Sequence, residues 1–211
     1  MKNLKIAICL SISLLLFSSC SKILISMYGV KNSKHFTEKE LIAWAKDYNI
    51  PQEDVFTLDS SYFSFLKNID TLEVENHHSY VSDRSQPLQA LYYDEKGDLV
   101  SYQINCYAGG FPNLKWNRNG NFETFMPKIQ APLDSTLTLK THLTFFNKVS
   151  TSKIVSPDDY DYVVVVYWSR FMGRQSKRLI RYVQENAKLS KNKSVKTIYV
   201  NNDQIYADRD H

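Results

Sequence analysis

Tyr162–Trp168, YVVVVYW, is apolar at every position. Four consecutive valines between aromatic residues cannot alternate between water and a core, so the run predicts a strand covered on both faces and central in a sheet. Beyond Gly173 the spacing changes: Leu179, Ile180, Val183 and Ala187 make one helical stripe, with Arg174, Arg178, Arg181 and Lys188 opposite it. Residues 195–200 return to β-branched and aromatic side chains at a distance that suits a right-handed parallel crossover. The predicted order over residues 161–200 is strand, turn, helix, strand.

Upstream, Thr37 and Glu40 have the spacing of a capping box, and Leu41, Ile42, Trp44 and Ala45 supply the buried stripe of a helix that Pro51 stops. Residues 55–58 read as a short strand and 62–66 as a helical turn. Residues 68–86 are polar and read as solvated loops. They include His77-His78, which lack the further ligands at fixed spacing that a metal site needs. Residues 88–93 and 99–106 form a hairpin pattern around 94–98, where Gly97 suits a positive φ. Residues 108–132 are rich in Gly, Pro and Asn and predict an irregular loop anchored by Trp116, Phe122 and Phe125; Gly109-Gly110 is not followed by the Gly-Lys-Ser/Thr of a phosphate loop. Residues 135–148 fit a helix, or equally a strand and a turn. The fold class is α/β, a three-layer or two-layer sandwich with a central mixed sheet.

The run YWSRFMGRQSK resembles the active-site segment of thioredoxins, in which a buried strand ends in a Trp shortly before Cys-Gly-Pro-Cys opens a helix. Trp168, Phe171 and Gly173 match the first Trp, the second aromatic and the Gly. Met172 and Gln175 stand where the two cysteines would be, and Arg174 replaces the Pro. The hairpin adds to the likeness, because Pro87 stands where that family has a cis-proline. The order departs from the family, since here the hairpin precedes the motif helix. The resemblance implies a thioredoxin-like sheet with altered element order, residues 88–93 antiparallel beside Tyr162–Trp168, and Pro87 in a cis bond facing the helix start. With both thiols gone it implies binding, not dithiol exchange.

The first residues carry an address. Lys2 and Lys5 precede an apolar run at 6–17, too short to span a bilayer comfortably, and Ser18-Ser19-Cys20 follows. The arrangement resembles a bacterial lipoprotein signal, with Phe17 in place of the more usual Leu, and implies cleavage before an acylated Cys20. The alternative is an ordinary secretory signal cut near Ser19. The expected organisation is a signal at 1–19, a lipidated tether at 20–35 and a single α/β domain at 36–211. Ser21 and Lys22 lack the Asp-type retention signal, which by the same resemblance implies the outer membrane, facing the periplasm.

Composition changes the picture in one place. The chain of 211 residues has a formal charge of +4, and two of its lysines lie in the signal. Residues 170–196 hold nine bases against Glu185 alone, so the rest of the mature chain is acidic on balance. This asymmetry marks Arg174, Arg178, Arg181 and Lys188 as a surface for an acidic protein or anionic headgroups, or as a plain solvated face. An exported chain excludes nucleic acid as the natural partner. No disulfide framework is available, because Cys9 leaves with the signal and only Cys20 and Cys106 remain. Cys106 with a distant histidine is arithmetically a nucleophile pair, but its place at the end of a half-buried strand reads as a packed thiol. Asp158, Asp159 and Asp161 read as a turn. No catalytic motif is recognisable, and neither a metal nor a cofactor is expected. The classes left are a redox-inactive binding or scaffold module, an envelope enzyme using Cys106 or unrecognised residues, and a structural or assembly lipoprotein.

Overall fold

The computed structural model describes residues 26–27, 29–69, 76–133, 136–153 and 156–209. The expected signal, Cys20 and the first part of the expected tether lie outside the described residues.

Six strands form one mixed sheet: β1 (Val55–Leu58), β2 (Gln89–Asp94), β3 (Leu99–Ile104), β4 (Phe146–Lys148), β5 (Tyr162–Trp168) and β6 (Val195–Asn201). Their order is β3-β2-β5-β6-β1-β4. β5, β6 and β1 are parallel, and β2, antiparallel to β5, carries the hairpin to one edge. The pairing expected between the hairpin and the central strand is present, with Leu91 opposite Val165.

The valines of β5 explain the layers. Val164, Val166 and Trp168 point into one core, and Val163, Val165 and Tyr167 into the other. The first core is closed by α1 (Glu38–Asp47) and the helix after Gly173. It also receives Leu114, Trp116 and Phe122 from the irregular loop. The second is closed by α2 (Ser61–Asn68), α3 (His77–Arg84), α5 (Leu139–Leu143) and α7 (Asp203–Arg209). A short α4 (Asn105–Ala108) follows β3, and α6 (Arg174–Ala187) joins β5 to β6. Helices on both faces make a three-layer sandwich. Each fully buried valine of β5 contributes roughly 1.5–3 kcal/mol relative to exposure.

The capping box of α1 is formed, with Glu40 N donating to Thr37 Oγ1 and Thr37 N to the Glu40 carboxylate. Several expectations are corrected. Residues 77–84 are a helix, because Asn76 caps it by accepting from Ser79 N, and Tyr80 and Arg84, one turn apart, are both buried. The Gln86–Pro87 bond is not cis; the cis X-Pro bond lies at Phe111–Pro112. Residues 135–148 divide between the two readings, α5 and then strand β4. β3 ends at Ile104, so Cys106 sits on α4 and is exposed.

The irregular loop is ordered by α6. Gln175 and Asn186 are buried on the helix: the Gln175 side chain accepts from Leu114 N at 3.1 Å, and Asn186 Nδ2 donates to the Phe122 and Thr124 carbonyls at 3.0 and 2.8 Å. Phe122 stacks on Tyr182, and Phe125 packs edge-on to Tyr92 and Tyr162. The helix face therefore carries amides as well as the expected aliphatic stripe.

Candidate functional site

The C-terminal end of β5 leads through Ser169–Gly173 into α6, and this connection is held from below by a buried carboxylate. Asp203, 2% exposed, accepts from Arg170 N at 2.6 Å, Phe171 N at 3.0 Å and Asn201 Nδ2 at 2.7 Å. Burial raises its pKa from the ordinary carboxylate value, while those hydrogen bonds oppose the shift. Tyr48, at the end of α1, holds the connection from the side: its hydroxyl donates to the Gly173 carbonyl at 3.0 Å and accepts from Arg170 Nη1 at 3.0 Å. The Arg170 guanidinium also faces the rings of Tyr48 and Trp44, at 5.5 and 5.9 Å. Arg170 is thus fixed by one hydrogen bond and two aromatic faces.

Gly173 has φ +51°, and a Cβ there would collide with the carbonyl oxygen of Gly29. Gly29 itself has φ +81° and lies against the first residues of α6. Lys31 N donates to the Phe171 carbonyl at 2.7 Å. Residues 29–31 therefore run directly over the segment that resembles the thioredoxin motif. Only glycine at 173 permits that approach.

Two adjoining cavities of about 300 Å³ each form a groove here. They share Tyr48, Arg174 and Lys177. Lys31 and Arg170 line one end, Arg178 and Arg181 the other, and Asp47 is the one carboxylate among the lining side chains. Arg174, Lys177 and Arg181 are exposed; Arg178 is half-buried and donates to Asn113. The first turn of α6 carries no acidic residue, and Gly173 offers no side-chain cap. Positive side chains thus gather at the positive end of the helix macrodipole, an arrangement that is unfavourable until an anion joins it. Its donors suit phosphate, sulfate or carboxylate oxygens.

The expected surface is divided by the structure. Arg174, Arg178 and Arg181 line the groove, whereas Lys188 lies beyond α6 and borders a separate cleft of about 650 Å³ with Lys191 and Lys193. Of the thioredoxin-like positions, Trp168 and Met172 are packed in the first core, Phe171 is half-buried against Tyr206, and Gln175 binds the loop. Pro87 comes near the same connection through its carbonyl, which accepts from Asn202 Nδ2 at 3.0 Å. Reading along the chain missed Lys31, Tyr48 and Asp203. It counted Arg170 and Lys177 only as charge, although 174, 177, 178 and 181 have the spacing of one helix face.

Cys106 Sγ lies 3.7 Å from Asp83 Oδ1, and desolvation with the adjacent carboxylate raises its pKa to about 11. At neutral pH the thiol is protonated and a poor nucleophile. The buried His142 shares a hydrogen bond of 2.7 Å between Nδ1 and the Tyr167 hydroxyl, and burial drives its pKa down to about 3. It sits among the rings of Tyr62, Tyr93, Phe146 and Tyr167 in the second core. Among the described residues no three His, Cys, Asp or Glu side chains converge to hold a metal ion, and no helix is long and apolar enough to cross a membrane. Compared with known proteins, the chain matches no family model, no curated protein and no solved structure, so the groove is read from its own geometry.

Proposed function

We propose that this chain is a lipid-anchored protein of the bacterial envelope, held by an acylated Cys20 on the outer membrane and facing the periplasm. Its thioredoxin-like domain binds and does not react. The observation that carries this reading is the groove at the start of α6, where Lys31, Arg170, Arg174, Lys177, Arg178 and Arg181 face one carboxylate, Asp47. The cations lie where a thioredoxin-like protein would place its thiols, and here Met172 is packed away and Gln175 is committed to the loop. Cys106 stands outside the groove on α4, protonated at neutral pH, which weighs against a thiol enzyme.

The test has two readouts on the chain expressed in a bacterial host. Labelled palmitate should enter the chain and be lost in Cys20→Ala, which should leave the membrane fraction. Disulfide reduction by the protein should not exceed the background of a Cys106→Ser variant. Palmitate retained in Cys20→Ala would overturn the anchor, and turnover above that background would overturn the binding reading.

A further inference from the structure

We infer that the groove is the membrane-facing surface of the domain and takes the phosphate headgroups of anionic lipids in the bilayer that holds the anchor. This rests on the lipid-anchored reading above and names the ligand of its site. The first observation is where the tether ends. Gly29 and Lys31 line the groove itself, and Gly29 lies nine residues after Cys20. Fully extended, nine residues reach at most about 30 Å. A folded chain of this length has a radius of gyration of roughly 16 Å and so a diameter near 40 Å. An anchor that joins the domain at the groove by a link shorter than the domain's width keeps that end of the molecule next to the headgroups.

The second observation is what flanks the cations. Met27 is 64% exposed, two residues before the glycine that touches Gly173. Phe111 is 56% exposed, two residues before Asn113, which accepts from Arg178. Exposed apolar side chains two residues in sequence from groove contacts fit an interface where rings and thioethers enter the headgroup boundary while guanidinium and ammonium groups meet phosphates. A surface for an acidic protein needs the charge but not its attachment to the anchor. The cleft at the far end of α6 has lysines too, but none of the described residues of the tether lines it.

The experiment mixes the full acylated chain with equal amounts of phosphatidylcholine vesicles and vesicles containing three parts in ten phosphatidylglycerol, separated by density. The chain should be enriched at least tenfold on the anionic vesicles near 0.1 M salt and spread evenly at 1 M. Arg174→Glu/Lys177→Glu/Arg181→Glu, all at exposed positions, should distribute evenly with an unchanged circular dichroism spectrum. Lys188→Glu/Lys191→Glu should behave as the parent. Even distribution of the parent, or enrichment of the groove variant equal to the parent's, overturns the inference. So does groove-dependent binding to polyglutamate without preference for anionic vesicles, which would assign the site to an acidic protein. If the anchor reading alone fails, the chain leaves the phosphatidylcholine vesicles altogether yet keeps its groove-dependent binding to the anionic ones.

Discussion

The two ends of α6 are both basic, yet they differ in kind. At the N-terminal end Lys31, Arg170, Arg174, Lys177 and Arg181 meet in a groove that Gly29 also lines, and Phe111, two residues before Asn113, is exposed. At the C-terminal end Lys188, Lys191 and Lys193 border a wider cleft of about 650 Å³, with Leu189 exposed. There Lys193 pairs with Asp161 at 3.1 Å, and further along the strand Lys196 pairs with Asp54 at 2.5 Å. Charge counted along residues 170–196 cannot separate these ends. The approach of residues 29–31 can, and it singles out the first.

The comparison holds only while both ends are folded, and the buried His142 makes the fold sensitive to acid. Its folded pKa is depressed to about 3 from an ordinary value of 6.5, so the unfolded chain binds the extra proton first. The contribution is fully present above about pH 6.5 and is lost as pH falls toward 3, at about 1.4 kcal/mol per pH unit and roughly 5 kcal/mol in all. Urea unfolding from pH 7 to 4 should reveal that slope, and His142→Gln should flatten it. An equal slope in the variant would place the acid sensitivity elsewhere. Binding at the two ends should therefore be compared above pH 6.5.

A smaller pair of effects separates the ends by backbone. Gly173→Ala should cost about 1–3 kcal/mol, because alanine is strained at φ +51° and its Cβ must displace Gly29. Lys191 has φ +53° with no such contact described, and Lys191→Gly should change stability by no more than about 1 kcal/mol, in the stabilising direction. Thermal or urea unfolding of both variants reads the difference. Equal effects would mean that the tether contact contributes nothing, and the asymmetry between the ends would lose its structural basis.

Much of the frame was legible because single patterns there had single solutions. The valines of β5 admit only a doubly covered strand, and Thr37 with Glu40 marks the start of α1. What was not legible depends on partners distant in sequence. Residues 77–84 look like loop until Tyr80 and Arg84 are seen buried one turn apart. Nothing local told Pro87 from Pro112 as the residue after a cis bond. The thioredoxin likeness led to the antiparallel pairing of β2 with β5, but the groove's Lys31 lies about 140 residues upstream of the helix it joins. The meeting of two glycines, 29 and 173, and the hydrogen bond from Lys31 N to the Phe171 carbonyl bring it there.

The most direct measurement places one nitroxide label in the loop bound to the start of α6 and one just past its end, in the acylated chain with Cys106→Ser, at Phe111→Cys in one variant and Leu189→Cys in the other. Both native side chains are exposed, and a helix of 14 residues holds the two ends about 21 Å apart. On anionic vesicles, power saturation with oxygen and a water-soluble relaxant should put the label at 111 in the headgroup boundary and the label at 189 in water. Both labels in water, or 189 at the boundary and 111 in water, would contradict the membrane-facing groove.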